Sequence, residues 1–433
     1  MSSVSSYRGV QNEEQYALAP GAQIFMLVPL MNTLTRRQFL GRSAVGLGTA
    51  ALAGGFDARM LGAEPEVPPT SPMPFLIAKS GSAPWLCVTP DGGVLLVYRG
   101  AGRDSADQQG LNDLYFTKAP HVGAAFSPPL KVATFTRLIS GMRREPRVAS
   151  DGRTLLVTGV EREGFAIQAF RSEDGGKTWS APVRVNSPEA RLGEGLYTMA
   201  GSPSGSFHVA WLDDRVPRAT QIWHARSRDG GRTWQERKAF PAGDGRVCEC
   251  CWPALAAGPE GRLFLLVRHN LQNVRDMHMV ESSDDGVTWS ASRKLGARSW
   301  TIAACPVQGG AMDVLADGAP AAIWSREGEI FSSGMGGDEK LLGKGRNGAI
   351  AAGPDGAYFL WEESPPQSSR GDIHIARPNG RVLQFRPQPP QGGPYATSST
   401  LAGHPRAGVV AAWQENGGIY GAVLSTPNRR QGE

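Results

Sequence analysis

The chain has 433 residues and a formal net charge of +5, with its arginines scattered among apolar runs and no basic stretch, which gives no footing for nucleic-acid binding. Its 55 glycines, 32 prolines and 11 tryptophans, without a long charge-rich helical segment, exclude a helical bundle and predict many short strands joined by turns. No segment after residue 64 approaches the roughly 20 apolar residues of a membrane span, so none is expected in the mature protein.

In chain order, the first feature is Thr35, Arg36, Arg37, Gln38, Phe39 and Leu40, followed by the apolar, small-residue run Ala44 to Ala53. A charged region ahead of a short apolar one is an export signal, too short and too rich in Ala and Gly to be a stable transmembrane helix. It resembles a twin-arginine signal, which implies the twin-arginine export machinery as a partner and a periplasmic or secreted destination. That route takes proteins already folded, often around a cofactor. Met31 is a candidate start, which makes residues 1–30 an upstream extension and 31–63 the signal, with candidate cleavage after Ala53 or Ala63. Residues 64–74 are Pro-rich and read as a linker to one domain spanning 75–433.

Between residues 84 and 425 one phrase recurs: an apolar strand, a Gly-containing turn, a second strand ending near Trp or charged residues, a polar loop and a third strand. The first strands begin near Pro84, Pro146, Tyr197, Pro253, Ala311, Gly348 and Ser399, and the second strands are VLLVYRG, TLLVTGVER, FHVAWLDDR, LFLLVRHN, PAAIWSRE, AYFLWEES and VVAAWQEN. Copies at this spacing predict an all-β propeller of four-stranded blades, since a single small sheet cannot bury both faces alone. The count predicts seven blades, with six the alternative if one phrase is a decoration. MPFLIA around Phe75 is expected to supply the outer strand of the last blade and close the ring.

Three phrases carry SxDxGxTW: Ser172 to Trp179, Ser227 to Trp234 and Ser282 to Trp289. Asp174, Asp229 and Asp284 suit acceptance of backbone N–H groups within a hairpin, the glycines suit a left-handed turn, and Trp179, Trp234 and Trp289 suit burial on a neighbouring sheet. These are structural roles. On these motifs the chain resembles, over about residues 75–425, the sialidase (neuraminidase) superfamily of BNR or Asp-box propellers, of the bacterial type that also carries a CxCC element. A six-bladed ring is the number in sialidases proper.

Blade symmetry gathers the ends of the second strands around one mouth of the axis. These ends carry Arg99, Glu161, Asp213, Asp214, Arg215, Arg268, His269, Arg326, Glu362 and Glu415. Converging guanidinium groups suit a carboxylate-bearing ligand, which they hold through paired hydrogen bonds. The resemblance implies an acidic glycan or polysaccharide as partner, an arginine triad for the sugar carboxylate, an Asp as acid/base and a Tyr assisted by a Glu as nucleophile. The nearest residues here are Arg99, Arg215, Arg268 and Arg275 with His269 for substrate binding, Asp214 or Asp276 for proton transfer, and Tyr197 with Glu194 or Glu249 for the nucleophilic pair. The Arg-Ile-Pro phrase that carries the first arginine in sialidases is absent, and its closest counterpart is Arg144, Glu145 and Pro146. Two other readings stand beside glycan processing: a noncatalytic binding platform, and loops held by ion pairs around a wet channel.

Cys248, Cys250 and Cys251 lie in RVCECCWP ahead of the fourth blade, and Cys305 lies in the corresponding position ahead of the fifth. In an oxidising compartment one disulfide is expected, Cys251 with Cys305 or Cys248 with another partner. The alternative is a thiolate site for copper or zinc formed by these four residues. Cys87 reads as a small core residue.

Overall fold

The computed structural model describes residues 72–100, 112–141, 143–217, 219–240, 246–334, 338–363, 371–387 and 398–426. The segments 1–30 and 31–63, and most of 64–74, lie outside the described residues. The rest forms seven antiparallel sheets arranged as blades in chain order, so the count of seven stands and the six-bladed alternative does not.

Blade 1 shows the plan: Ser82–Val88, Val94–Arg99, Asn112–Ala119 and Leu130–Phe135 pair in sequence. The second strands are the most deeply buried. Every residue of Phe207–Asp213 is buried, because both faces of the strand are covered by adjacent blades. Seven apolar clusters hold the ring together, each drawn from two neighbouring blades, from Leu95, Val97, Val148 and Val157 between blades 1 and 2 to Leu86, Leu96, Val410 and Ile419 between blades 7 and 1. The core is thus a circle of layers, each too small to stand alone. Near the axis the blades crowd, and a Cβ at Gly201 would collide with the Ser150 backbone.

The ring closes as expected. Phe75–Ala78 pairs with Gly418–Ser425, with Phe75 opposite Gly421 and Leu76 opposite Tyr420. A strand from one end of the domain covering the edge left by the other removes an exposed edge and ties the two ends together.

The Asp boxes are hairpins. Asp229 Oδ1 accepts the N–H of Arg232 at 3.0 Å and of Thr233 at 2.9 Å, its Oδ2 accepts the Thr233 hydroxyl at 2.6 Å, and Ser227 Oγ accepts the N–H of Gly231 at 2.8 Å. Asp174 and Asp284 repeat this pattern. Each box clamps the preceding blade: Trp179 meets Phe116 edge-on at 5.2 Å, Gly231 lies on Leu156, and Trp289 meets His224 at 5.3 Å. Trp234 packs on the cluster shared by blades 2 and 3. Gly231 has φ +86°, and a Cβ there would lie 2.5 Å from Leu156 Cδ1. Gly231→Ala is therefore expected to lower stability by about 1–3 kcal/mol, measured as a shift of the urea midpoint at unchanged slope.

Candidate functional site

In an up-and-down blade the turns joining strands 1 to 2 and 3 to 4 lie at one end, and the loops joining 2 to 3 and one blade to the next lie at the other. The Asp boxes therefore sit at the lower end, and the charged ends of the second strands at the upper. In blades 2 and 4 the innermost strand is interrupted there. Leu138–Ile139 and Arg147–Ser150 both pair with Leu155–Glu161, and Arg246–Val247 and Ala254–Ala257 both pair with Leu263–Asn270. Both interruptions bulge from the sheet. One carries Arg143, Arg144 and Glu145, the other Cys248 to Trp252.

Arg143 reaches across the upper end of the axis, donating to the carbonyl oxygen of Ser399 at 3.0 Å, just ahead of the first strand of blade 7, and to that of Asn347, at the start of the first strand of blade 6. Glu362 secures those segments by accepting from Ser399 N at 3.1 Å, Ser399 Oγ at 2.6 Å and Asn347 Nδ2 at 2.8 Å. Arg147 lies 3.6 Å over the Trp85 ring and donates to the carbonyls of Glu145 at 2.8 Å and Arg143 at 3.0 Å, and burial lowers its pKa from the ordinary value. Lower along the axis is a cavity of about 940 Å³ lined by the inner strands, including Trp85, Met199, Leu255, Met312 and Leu401. Asp313 lines it and accepts the N–H of Ala352 at 2.8 Å, with burial pushing its carboxyl up to about 6. Cys87, expected in the core, is a free thiol lining this cavity, and burial pushes it up to about 12.

Several of the expected site residues converge on the rim of blades 1 to 3. Arg99 donates to Asn112 Oδ1 at 2.8 Å and to Ser140 Oγ at 3.3 Å, which draws it toward the blade 2 bulge. Arg144 pairs with Glu194 at 2.6 Å, and the Glu194 side chain is 54% exposed. The Asp214 carboxylate lies so close to Gly193 that a Cβ there would collide with it, and it accepts the Thr220 hydroxyl at 2.6 Å. A cation and two carboxylates from three segments thus share one stretch of rim.

Other candidates are held as scaffold. Tyr197 is fully buried and donates its hydroxyl to the Thr158 carbonyl at 3.1 Å, and burial pushes its pKa up to about 12, which sets a hydroxyl enclosed in the core against the expected role of nucleophile. Arg268 is 1% exposed and spends its donors on the carbonyls of Gln308 at 2.8 Å, Arg275 at 2.7 Å and Ser325 at 2.7 Å, leaving it a brace where an anion holder was expected. Arg215 stacks 3.7 Å over Trp223 and pairs with Asp213 at 2.7 Å and Glu236 at 2.6 Å. Asp276 accepts the N–H of Trp300 at 2.8 Å and lies 3.1 Å from Lys294. His269, expected to bind substrate, lies in the strand Leu263–Asn270, buried with its ring 4.6 Å from that of His278.

The four cysteines do meet, with a different pairing from the expected one: Cys250 is bonded to Cys305, their Cα atoms 6.4 Å apart. Cys248 and Cys251 are buried free thiols, with their sulfurs 2.9 Å apart. Arg275 donates to Cys248 Sγ at 3.0 Å and lies 3.5 Å from Glu249, which also accepts from Asn270 at 3.3 Å. The hydrogen bond between the two thiols, with a backbone N–H and Arg275, outweighs burial and lowers Cys248 to about 7, whereas burial raises Cys251. The sulfurs of Cys248, Cys250 and Cys305 lie within 4.8 Å of one another, a spacing that could hold a thiophilic metal ion with the disulfide open.

Residue patterns alone missed Arg143 and Arg147, and named Glu145 only as part of the counterpart of the Arg-Ile-Pro phrase. Their signal was the Arg-rich RREPR immediately before a first strand, but only the bulge and the crossing to Asn347 and Ser399 give it meaning.

Residues 127–323 match the family described as a BNR repeat-like domain, a stretch that includes all three Asp boxes. No curated protein matches the chain. Among solved structures it is similar to a polysaccharide lyase, ulvan lyase bound to -[GlcA(1-4)Rha3S]-, at 11% identity over 81% of this chain and 96% of that one, with a TM-score of 0.50. It is also similar to the Hadza microbial sialidase Hz136, at 16% identity, 81% and 68% coverage and a TM-score of 0.47. The leech intramolecular trans-sialidase matches at 12% identity, 81% and 68% coverage and a TM-score of 0.45. The likeness to the lyase is one of fold. Among the described residues no helix is long and apolar enough to cross a membrane.

Proposed function

We propose that the protein cleaves an acidic polysaccharide at the upper rim of blades 1 to 3, and that it does so outside the cytoplasm after twin-arginine export. The observation that carries this reading is the convergence of Arg144, Glu194 and Asp214 on one rim, with Glu194 half exposed beside its cation. Arg144, with Arg99 on the neighbouring blade, offers planar donors to a sugar carboxylate or sulfate. Glu194 and Asp214 then stand where one can give a proton to a leaving glycosidic oxygen, the step that glycan cleavage requires of a positioned carboxyl. The acidic polysaccharide fragment held by the ulvan lyase of the same fold supports the substrate class.

The test is release of oligosaccharides from uronate-bearing, sulfated and sialylated polysaccharides, followed by mass spectrometry. Arg144→Ala and Asp214→Asn are each expected to lower kcat/KM about 100-fold at unchanged thermal stability, as for loss of an anchoring cation or a proton donor. Saturable binding with no product from any of the three classes would replace cleavage by a noncatalytic platform. Full turnover in both variants would move the site elsewhere.

A further inference from the structure

The cysteine cluster has a feature that a structural disulfide does not need. Two buried free thiols, Cys248 and Cys251, lie against a disulfide whose outer member, Cys305, is exposed. Cys248 Sγ is 2.9 Å from Cys251 Sγ and 3.6 Å from Cys250 Sγ, and Cys250 Sγ is 4.0 Å from Cys251 Sγ. Cys248 and Cys251 are spaced Cys-x-x-Cys, which suits a disulfide of their own. Cys248 is central, in reach of both other sulfurs of its bulge, with an Arg275 N–H directed at it.

We propose that these four residues form a dithiol–disulfide exchange centre, in which the Cys250–Cys305 disulfide interconverts with a Cys248–Cys251 disulfide. In the first step the Cys248 thiolate attacks Cys250 Sγ. A Cys248–Cys250 bond forms, the Cys250–Cys305 bond breaks, and Cys305 leaves as a thiolate at the surface, where it takes a proton from water. In the second step Cys251, its proton passed to solvent, attacks Cys248 Sγ. The Cys248–Cys251 bond forms and Cys250 is released as a thiolate. One disulfide is consumed and one is made, so the exchange needs no outside oxidant or reductant. Arg275 steadies negative charge on Cys248 at the start, and exposure of Cys305 stabilises it as the leaving group. The outcome is transfer of the reactive thiol pair from the buried bulge to the surface, where Cys305 meets thiols or disulfides of other molecules.

Full-length protein equilibrated in glutathione buffer, quenched with acid and alkylated, tests this by mass spectrometry of its disulfide-linked peptides. Both the Cys250–Cys305 and the Cys248–Cys251 forms are expected. Labelling of Cys305 by iodoacetamide is expected to be about tenfold faster in the native protein than in Cys248→Ser, which lacks the attacking sulfur. Cys251→Ser is expected to accumulate the Cys248–Cys250 intermediate, a result that does not depend on the folding of Cys248→Ser. Recovery of Cys250–Cys305 alone under every buffer, with no intermediate in Cys251→Ser, overturns the proposal. So does finding four thiols holding an equivalent of zinc or copper by elemental analysis, which would make the cluster a metal site.

Discussion

Glu145→Ala is expected to lower the stability of the protein by about 3–5 kcal/mol, the range seen when one partner of a buried ion pair is removed. Glu145 is 3% exposed, with one oxygen accepting the Arg143 N–H at 3.3 Å and the other 3.6 Å from the Arg147 guanidinium, itself buried. That second oxygen has no hydrogen bond, so its charge is balanced chiefly by Arg147. Removing the carboxylate takes from the buried Arg147 guanidinium the one anion it pairs with among the described residues. Arg147 still has its carbonyls and the Trp85 ring, and these hold it in place without neutralising it. Because Arg143 ties the bulge to Asn347 and Ser399, the damage is expected to reach blades 6 and 7. Urea unfolding checks the loss, and hydrogen exchange at Ser399 and Thr400 checks the reach. Glu145→Gln, which keeps an acceptor for the Arg143 N–H but not the charge, is expected to recover only part of the loss. A loss under about 1 kcal/mol would mean that water reaches the cluster and screens it.

The second large effect lies at the lower end, in blades 3 and 4. Asp285 lies 3.2 Å from His208 Nε2 and accepts the hydroxyls of Ser204 at 3.0 Å and Ser206 at 2.9 Å, with Arg226 and Arg228 at 3.4 and 3.2 Å. His208 Nδ1 in turn lies 3.1 Å from His224 Nε2, and the two rings stack. At that spacing one ring nitrogen donates to the other, and burial, which lowers the pKa of both histidines, favours the neutral rings. Asp285→Ala is expected to cost about 3–5 kcal/mol, since it takes from the buried His208, Ser206 and Arg226 the carboxylate that they face.

The same cluster sets an acid limit. Burial lowers both histidines below their ordinary value near 6.5, and hydrogen bonds from His208, Ser206 and Ser204 outweigh burial to lower Asp285. A group whose pKa is depressed by folding binds a proton more readily in the unfolded chain. Its contribution is therefore complete above the unfolded value and is lost as pH falls. For the histidines the loss begins as pH drops through about 6.5, and for Asp285 below about 4. The urea midpoint is expected to fall from pH 7 to pH 5, with the His208→Gln, His224→Gln double variant showing a shallower slope. An unchanged slope would place the acid sensitivity in other groups.

The propeller was legible because its signals are local and repeated. A Gly turn between two apolar runs, seen seven times, and SxDxGxTW, seen three times, each report a hairpin that forms from neighbouring residues, and the sheets found there follow those phrases strand for strand. The closing strand at Phe75 was legible as an apolar, strand-like run ahead of the first blade. The site was legible only as an end of the ring. Residue type placed Arg99, Asp214 and Arg215 there, but type does not tell whether a guanidinium faces a ligand or a carbonyl. Arg268 and Tyr197 have the composition of a site and the surroundings of a core.

What the amino-acid order determined by itself was the propeller built of repeated blades, the role of the Asp boxes and the meeting of four cysteines at one seam; the choice of seven blades over six came from the structure. What only the tertiary structure decided was which cysteines pair, which arginines are consumed by the scaffold and where the inner strands of blades 2 and 4 break. The physical reason is distance along the chain. Hairpins are settled between residues a few positions apart, whereas Cys250 with Cys305, Arg143 with Ser399 and Arg144 with Glu194 are settled by how blades pack around an axis, which no local pattern records.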